Sequence, residues 1–407
     1  MTDPHPAAKA YRTGTHRIVS PAETIARLQP HLKPMGITRV ANVTGLDRIG
    51  IPVVMVTRPN SRSVAVSQGK GLDLEAAKAS ALMESAETWH GERIALPLLY
   101  GSHKDLCRSH RLVDPESLPQ VQGGAYRPDR RLLWIEARNL LDEQSAWLPY
   151  EMVHSDYTYP AAPGHGYFHC STNGLASGNH ILEALNHAIC EVIERDATTL
   201  WHMSPKAKRS ARRLDLASVE DPECRHIIDR LAHCGLELAV WDTTSDLEVP
   251  AFHCLLSEPA SEQEHLGAGA GCHPCPEVAL SRALTEAVQT RLTYVSGARD
   301  DLTPEEFTAA GLNEKRAAAR DLMARETAQH RFQAEAGARR DSLQEDHAWL
   351  LERLKAVGLT EAMAIDLSQP ELGIPVVRVV IPGLEAPHDD NSYVPRARAL
   401  AVAEQAP

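Results

Sequence analysis

The stretch Asn173–Ala197, NGLASGNHILEALNHAICEVIERDA, joins a Gly-containing turn to a helix-period pattern. At 100° per residue, Glu183, His187, Glu191 and Glu194 fall within an arc of roughly 80°. Leu185, Ile189, Val192 and Ile193 occupy the opposite side. The spacing predicts an amphipathic helix over Ile181–Leu200 that carries carboxylates on its polar face.

Two further copies of this unit lie on either side. Before it, Ser63–Ser67 runs into Gln68-Gly-Lys-Gly71 and a helical pattern over Leu74–His90. The central copy takes Phe168–Thr172 as its strand and Asn173–Asn179 as its turn. After it, Gly267–Gly271 runs into Cys272-His-Pro-Cys275 and a helical pattern over Pro276–Tyr294. Each copy reads as strand, turn and helix, and such self-similarity organises a fold. Glu75, Glu84 and Glu87 of the first helix match Glu277, Glu286 and Gln289 of the third. The central helix offers Glu183, Glu191 and Glu194, one residue shorter in the first gap.

Outside these units, Pro21–Leu32 has a helical pattern, while Ile51–Thr57, Leu236–Trp241, Val249–Leu256 and Ile374–Ile381 read as strands. Residues 95–165 alternate short apolar runs with turn residues and suggest hairpins and loops. Residues 303–355 form a helical segment, one long helix or a pair. Residues 386–407 are a polar tail, mobile unless it docks. The fold class is mixed α/β, and the 407 residues read as one large domain.

The composition sets limits on partners. The chain has 42 Lys and Arg against 54 Asp and Glu, a net charge of −12, which argues against a nucleic-acid binder. The longest apolar run, Ile49–Val56, is far short of the ~20 residues of a membrane span. No signal-peptide core precedes it, and eight scattered cysteines suit a cytoplasmic chain with free thiols. Cys272 and Cys275 have the spacing of half a zinc or redox site, but no second pair follows; they otherwise read as two small residues in a turn.

The glutamates carry the chemistry. Ser80, Glu84 and Glu87 share one face of the first helix, bordered by Ala77, Ala81 and Thr88. They can be read as the solvated face of a surface helix. Against this, neighbouring like charges cost a few tenths of a kcal/mol each and neither helix supplies a Lys at i+4. The small borders also suggest a face that something packs against. Two Glu pairs from two helices can hold a divalent cation through oxygen, as Mg²⁺ prefers alongside phosphates. A Gly-containing turn opening a helix presents N–H groups to an anion, and Lys70 adds a cation. The third helix, with Gln289 in place of a carboxylate and Arg282 and Arg291 added, reads as facing the phosphates.

These residues resemble the YcaO family, which activates peptide backbone amides with ATP. The matching stretches are SQGKG (67–71), SALMESAETWH (80–90), Asn173–Ala197, TEAVQTRLTYVSGARDD (285–301) and GIPVVRVVIPGLE (373–385). The resemblance implies a YcaO-like fold around a nucleotide site, with Glu84, Glu87, Glu191 and Glu194 as Mg²⁺ ligands. It places Ser80, Asn179, Glu183, Arg195 and Arg291 at ATP, with Arg17 and Thr24 as a weaker match. Lys70, Glu286 and Gln289 complete the nucleotide set. Where many members have Arg after the second glutamate of the first helix, this chain has Thr88. No catalytic residue is assigned.

GTHR (14–17), ITRVANVTGLDRIGIPVV (37–54) and ETWH (87–90) resemble the branch that accompanies TfuA-type partners and forms thioamides. The end of the chain lacks the closely spaced prolines of azoline-forming members. The resemblance thus implies a ribosomally made peptide as substrate, a TfuA-type partner, sulfide or another sulfur donor, and a homodimer. An azoline-forming cyclodehydratase and an ATP-binding accessory factor in sulfur metabolism are the alternatives. Cys170, just before the central helix, can relay sulfur or be a small buried residue.

Overall fold

Gly267, Gly269 and Gly271 alternate along the strand Gly267–Cys272, so all three point to one face. The helix Pro276–Ser296 lies on that face. A Cβ at these positions would meet the carbonyl oxygens of Ala287, Ala283 and Ala279 at 2.3, 2.2 and 2.1 Å. The two-residue period of the strand thus meshes with the four-residue row of the helix, and neither side tolerates more than its hydrogen or methyl. The first unit repeats the device: a Cβ on Gly69 would lie 2.3 Å from Ala77 O and 2.0 Å from Ala81 N, against the helix Leu74–Gly91. The alanines at positions 77, 81, 279, 283 and 287 are explained by this close packing.

In the computed structural model, residues 7–259, 266–323, 330–334, 340–388 and 392–404 are described. Arg39–Asn42, Val53–Thr57 and Val66–Lys70 form an antiparallel sheet under the first helix. Glu237–Asp242, Ala251–Ser257 and Gly267–Cys272 form the equivalent sheet under the third. A larger sheet runs in the order Leu98–Ser102, Arg131–Asn139, Met363–Asp366, Val376–Val380, Leu175–Ser177, with Ser145–Pro149 paired beside Arg131–Asn139. The central helix, Ile181–Met203, packs on this sheet with Leu185, Ile189 and Ile193 in the core.

The central unit departs from the expectation. Its strand is Leu175–Ser177, inside the expected turn, while Phe168 makes only an isolated bridge to Gln120. Gly178 follows the strand, where a Cβ would sit 2.5 Å from Glu183 Cβ. Gly71 makes the same approach to Ala76 Cβ at 2.6 Å, so Glu183 is the counterpart of Ala76 and not of Glu75. That accounts for the one-residue gap.

Pro21–Leu28 is helical, capped by Ser20, and Gln29–His31 tightens into a 3₁₀ turn. The segment 303–355 contains two helices, Ala309–Met323 and Leu343–Ala356, with the short strand His330–Arg331 between them; residues 324–329 and 335–339 lie outside the described set. The polar tail docks. Ala397–Ala403 is helical, Arg398 pairs with the buried Asp196 at 2.9 Å, and Glu385 accepts the Ala399 N–H at 2.9 Å. No helix among the described residues is long and apolar enough to cross a membrane.

Candidate functional site

The three repeat helices converge on a cleft of about 480 Å³. Glu84 and Glu87 reach it from the first helix, Glu191 and Glu194 from the second, and Glu286 and Gln289 from the third. The acidic faces therefore look inward at one another and are not solvated surfaces. A backbone N–H supports several of the carboxylates. Gln68 N–H donates to Glu84 at 3.3 Å, and Ala270 N–H donates to Glu286 at 3.4 Å, each across 16 residues. The first and third units thus share a hydrogen bond as well as a register. Glu87 accepts both the N–H and the hydroxyl of Ser177, at 2.8 and 2.7 Å.

Burial dominates the charge state of these groups. It raises Glu84 and Glu194 above the ordinary carboxylate range, Glu87 up to about 8 and Glu191 to about 7. For Glu87 the charges of Glu84 and Glu191 add to the effect. Burial alone would also raise Glu286, but Lys70, 2.5 Å away, and Arg195 outweigh it and hold that carboxyl low. The cleft thus gathers four carboxylates, from two helices, whose ionisation is disfavoured unless a cation joins them. Gln289 Oε1 is buried without a hydrogen-bond partner. An oxygen-donor set of this kind fits Mg²⁺.

The other expected residues fall around this wall. Lys70, Arg17, Arg195, Ser80, Thr24, Asn179 and Glu183 all line the cleft. Asn179 Nδ2 donates to Thr24 Oγ1 at 3.0 Å, and Glu183 accepts the N–H groups of Ile18 at 2.6 Å and Asn179 at 2.8 Å. Glu183 therefore straps the N-terminal segment, with Arg17, across the mouth. Burial lowers the pKa of Arg17 and Glu183 opposes that shift.

Arg291 is a correction: it does not line the cleft. Five residues beyond Glu286 it sits about 140° around the helix, and its buried guanidinium pairs with Glu258 at 3.0 Å and approaches Asp47 at 3.7 Å. Arg282 does reach the cleft and contacts His187. Two elements were not legible in the sequence. Arg299 lines the cleft and acts on Glu84 because the chain turns back at the left-handed Gly297. Tyr11, Thr13 and Thr15 line the mouth from an irregular segment with no periodicity to reveal it. Thr88 hydrogen-bonds Arg58 at 2.9 Å, and Glu92 holds that same guanidinium at 2.6 Å. Cys272 lines the cleft as the last residue of its strand; Cys275 caps the third helix, its Sγ 2.9 Å from Glu277.

A cleft lined by four carboxylates, Glu194 buried and the other three half-buried, together with Arg17, Lys70, Arg195 and Arg282 is built for a divalent cation with a polyanion. Residues 68–385 match the family model described as YcaO cyclodehydratase, ATP- and Mg²⁺-binding. The chain belongs to the YcaO family, whose cofactors are ATP and Mg²⁺. It is 35% identical over 381 residues to a Rhizobium leguminosarum bv. trifolii protein named for its position in the tfuA 3′ region, covering 91% of this chain and 88% of that one. A Methanothermobacter thermautotrophicus protein is 33% identical over 387 residues, covering 93% and 97%. Among solved structures, a YcaO from Methanopyrus kandleri bound with AMPPCP and Mg²⁺ superposes with a TM-score of 0.77 at 22% identity, covering 96% of this chain and 98% of that one. A heterocyclase in complex with substrate and cofactor superposes at 0.79, also at 22% identity; it covers 95% of this chain, which spans 54% of the heterocyclase. At that identity the likeness is one of fold.

The carboxylates of the cleft set a pH dependence. Glu87 keeps its proton to about pH 8 when folded, against 4.5 for the free side chain. Between those values the folded chain holds a proton that the unfolded chain has lost, so this group's contribution to stability falls as pH rises. Without divalent cations, the melting temperature should fall more between pH 6.5 and 8 in the wild type than in Glu87→Gln. Histidines, ordinarily titrating at about 6.5, add slope at the lower end of this range in both proteins alike, so the comparison with Glu87→Gln isolates the glutamate. Equal falls would contradict the assignment.

Proposed function

We propose that this chain uses ATP and Mg²⁺ to replace the oxygen of a peptide backbone amide by sulfur, working with a TfuA-type partner. The observation that carries the nucleotide half is the meeting of Glu84, Glu87, Glu191 and Glu194, from two helices, in a buried cleft ringed by Lys70, Arg17, Arg195 and Arg282. The four glutamates would hold Mg²⁺, which when bound neutralises charge on the transferring phosphoryl group. Lys70, kept in place by Glu286, and Arg195 would face the phosphates. Gln289 would offer its free amide oxygen to the same region. Ser80, Thr24 and Asn179 would contact the nucleotide near the mouth, where Glu183 fixes Arg17.

An amide oxygen is a poor leaving group. Its attack on the γ-phosphorus of ATP releases ADP and leaves a phosphate ester on the amide carbon. Hydrosulfide then adds to that carbon, and inorganic phosphate departs with the original oxygen, leaving C=S. The cleft contributes charge stabilisation and positioning, the main levers in phosphoryl transfer. The sulfur outcome is supported by the similarity, over 91% of this chain, to the protein from the tfuA 3′ region. The peptide and the sulfur donor belong to the same reading.

The test is mass spectrometry of a candidate peptide incubated with the chain, the partner, ATP, Mg²⁺ and sulfide. A mass gain equal to exchange of one oxygen for one sulfur is expected, together with one ADP per modified amide. Loss of one water instead would mean ring closure by a Cys, Ser or Thr side chain and would replace thioamidation by azoline formation.

A further inference from the structure

Three side chains with metal-ligating atoms meet on the segment that leads into the central repeat unit. One ring nitrogen of His154, one of His165 and the Cys170 sulfur lie within 4.8 Å of one another. His154 is 3% exposed, and its Nε2 has no hydrogen-bond partner. A buried nitrogen without a partner is costly and calls for one.

The surroundings prepare the other donors. His165 directs Nδ1 at Glu151 Oε1, 3.1 Å away. Glu151 is itself fixed by the N–H groups of Gly166, Tyr167 and Phe168 at 2.7, 3.2 and 3.2 Å. A carboxylate on one ring nitrogen places the proton there and frees the other lone pair, the second-layer arrangement that supports metal-bound imidazoles. Burial pushes the Cys170 thiol up to about 12, with the buried Arg378 opposing that shift, so without a cation it stays a thiol that donates to the His154 carbonyl at 3.4 Å. Tyr150 stacks on the His154 ring at 4.7 Å and holds its plane.

We infer that His154, His165 and Cys170 form a three-ligand site for a borderline divalent cation of the Zn²⁺ class, separate from the glutamate cleft. Two nitrogens and a sulfur select such a cation over Mg²⁺. Bonds of about 2.0–2.1 Å to nitrogen and 2.3 Å to sulfur put tetrahedral donors about 3.3–3.6 Å apart, inside the 4.8 Å within which these three lie. On binding, the Cys170 thiol releases its proton to solvent. The His154 proton moves to Nδ1, which gives up the Asp156 N–H it now accepts at 3.1 Å. A fourth position remains for water or an incoming ligand. Bound metal would tie Cys170 to the 150–154 turn, three residues before Asn173. A second cluster, His16, His273 and Asp346, is less suited, because Lys9 already sits 2.7 Å from Asp346 and Arg17 and Arg282 act on His273.

The chain, stripped with chelator and free of nucleotide, is titrated with Co²⁺. The expected result is one tight equivalent with tetrahedral visible bands and a sulfur-to-cobalt charge-transfer band, all displaced by Zn²⁺. Glu191→Gln should bind equally, which separates this site from the cleft. Cys170→Ser should lose the charge-transfer band, and His165→Ala should weaken binding by about 100-fold or more, beyond the 10–100-fold of an outer-layer partner. No charge-transfer band in the wild type, or its persistence in Cys170→Ser, would overturn the site. Should Cys170→Ser fail to fold, alkylation of wild-type Cys170 decides: Co²⁺ must protect it where Mg²⁺ does not, and equal labelling overturns the inference.

Discussion

Glu191→Gln is expected to reduce ATP turnover by about 10³-fold or more, above the 10–100-fold typical for residues that merely support a metal ligand. It should also abolish Mg²⁺-dependent ATP binding while raising the melting temperature of the metal-free chain. The opposed signs follow from one cause. Burial raises the Glu191 carboxyl to about 7, with Glu194 adding to the effect and Arg195 opposing it. Glutamine keeps the size and removes the charge that is costly to bury without a counter-ion. The same charge is what a divalent cation would use. Calorimetry with ATP and Mg²⁺ and a thermal melt of the same preparation test both halves. Unchanged affinity would sink the assignment of the cleft, and lost affinity with a lowered melting temperature would indicate structural damage instead.

The second large effect is on the fold. In Gly269→Ala the new methyl would lie 2.2 Å from Ala283 O and 2.5 Å from Ala287 N. Both are backbone atoms of the third helix, so the clash is relieved only by moving the helix off its sheet. Overpacking of a core typically costs 1–3 kcal/mol, and a backbone-to-backbone clash belongs at or above about 3 kcal/mol, a large share of a stability of roughly 5–15 kcal/mol. Gly45→Ala is the control: a Cβ there meets nothing within 4 Å, and its φ is not in the left-handed region. The first variant should be insoluble or melt far below the wild type, with the second close to it. A wild-type melting temperature for Gly269→Ala would refute the packing account.

Much of this site could be read in the sequence because one helix face is a local property. The spacings Glu84–Glu87 and Glu191–Glu194 place each pair on one side of a helix whatever the tertiary fold. Twisted, irregular or short elements were less legible. The strand Leu175–Ser177 consists of Leu, Ala and Ser and is held by its neighbour Val376–Val380, so intrinsic propensity pointed to residues 168–172 instead. Arg291 was expected at the phosphates both from the composition of its helix and from the resemblance, and neither follows the turn of about 140° from Glu286 that carries its side chain to Glu258. The helix Ala397–Ala403 docks through Arg398 on Asp196, 202 residues earlier in the chain, a pairing that no local pattern announces.

The same separation in sequence governs when the cleft can exist. Lys70 meets Glu286 across 216 residues, Ile18 meets Glu183 across 165, and Ser177 meets Glu87 across 90. Loops of this length close late and slowly. During synthesis the first glutamate pair leaves the ribosome well before the strand that supports it and the helix that holds Lys70. A nascent chain ending before the third repeat therefore has the carboxylates without the enclosure, and nucleotide capture becomes a property of the nearly finished polypeptide.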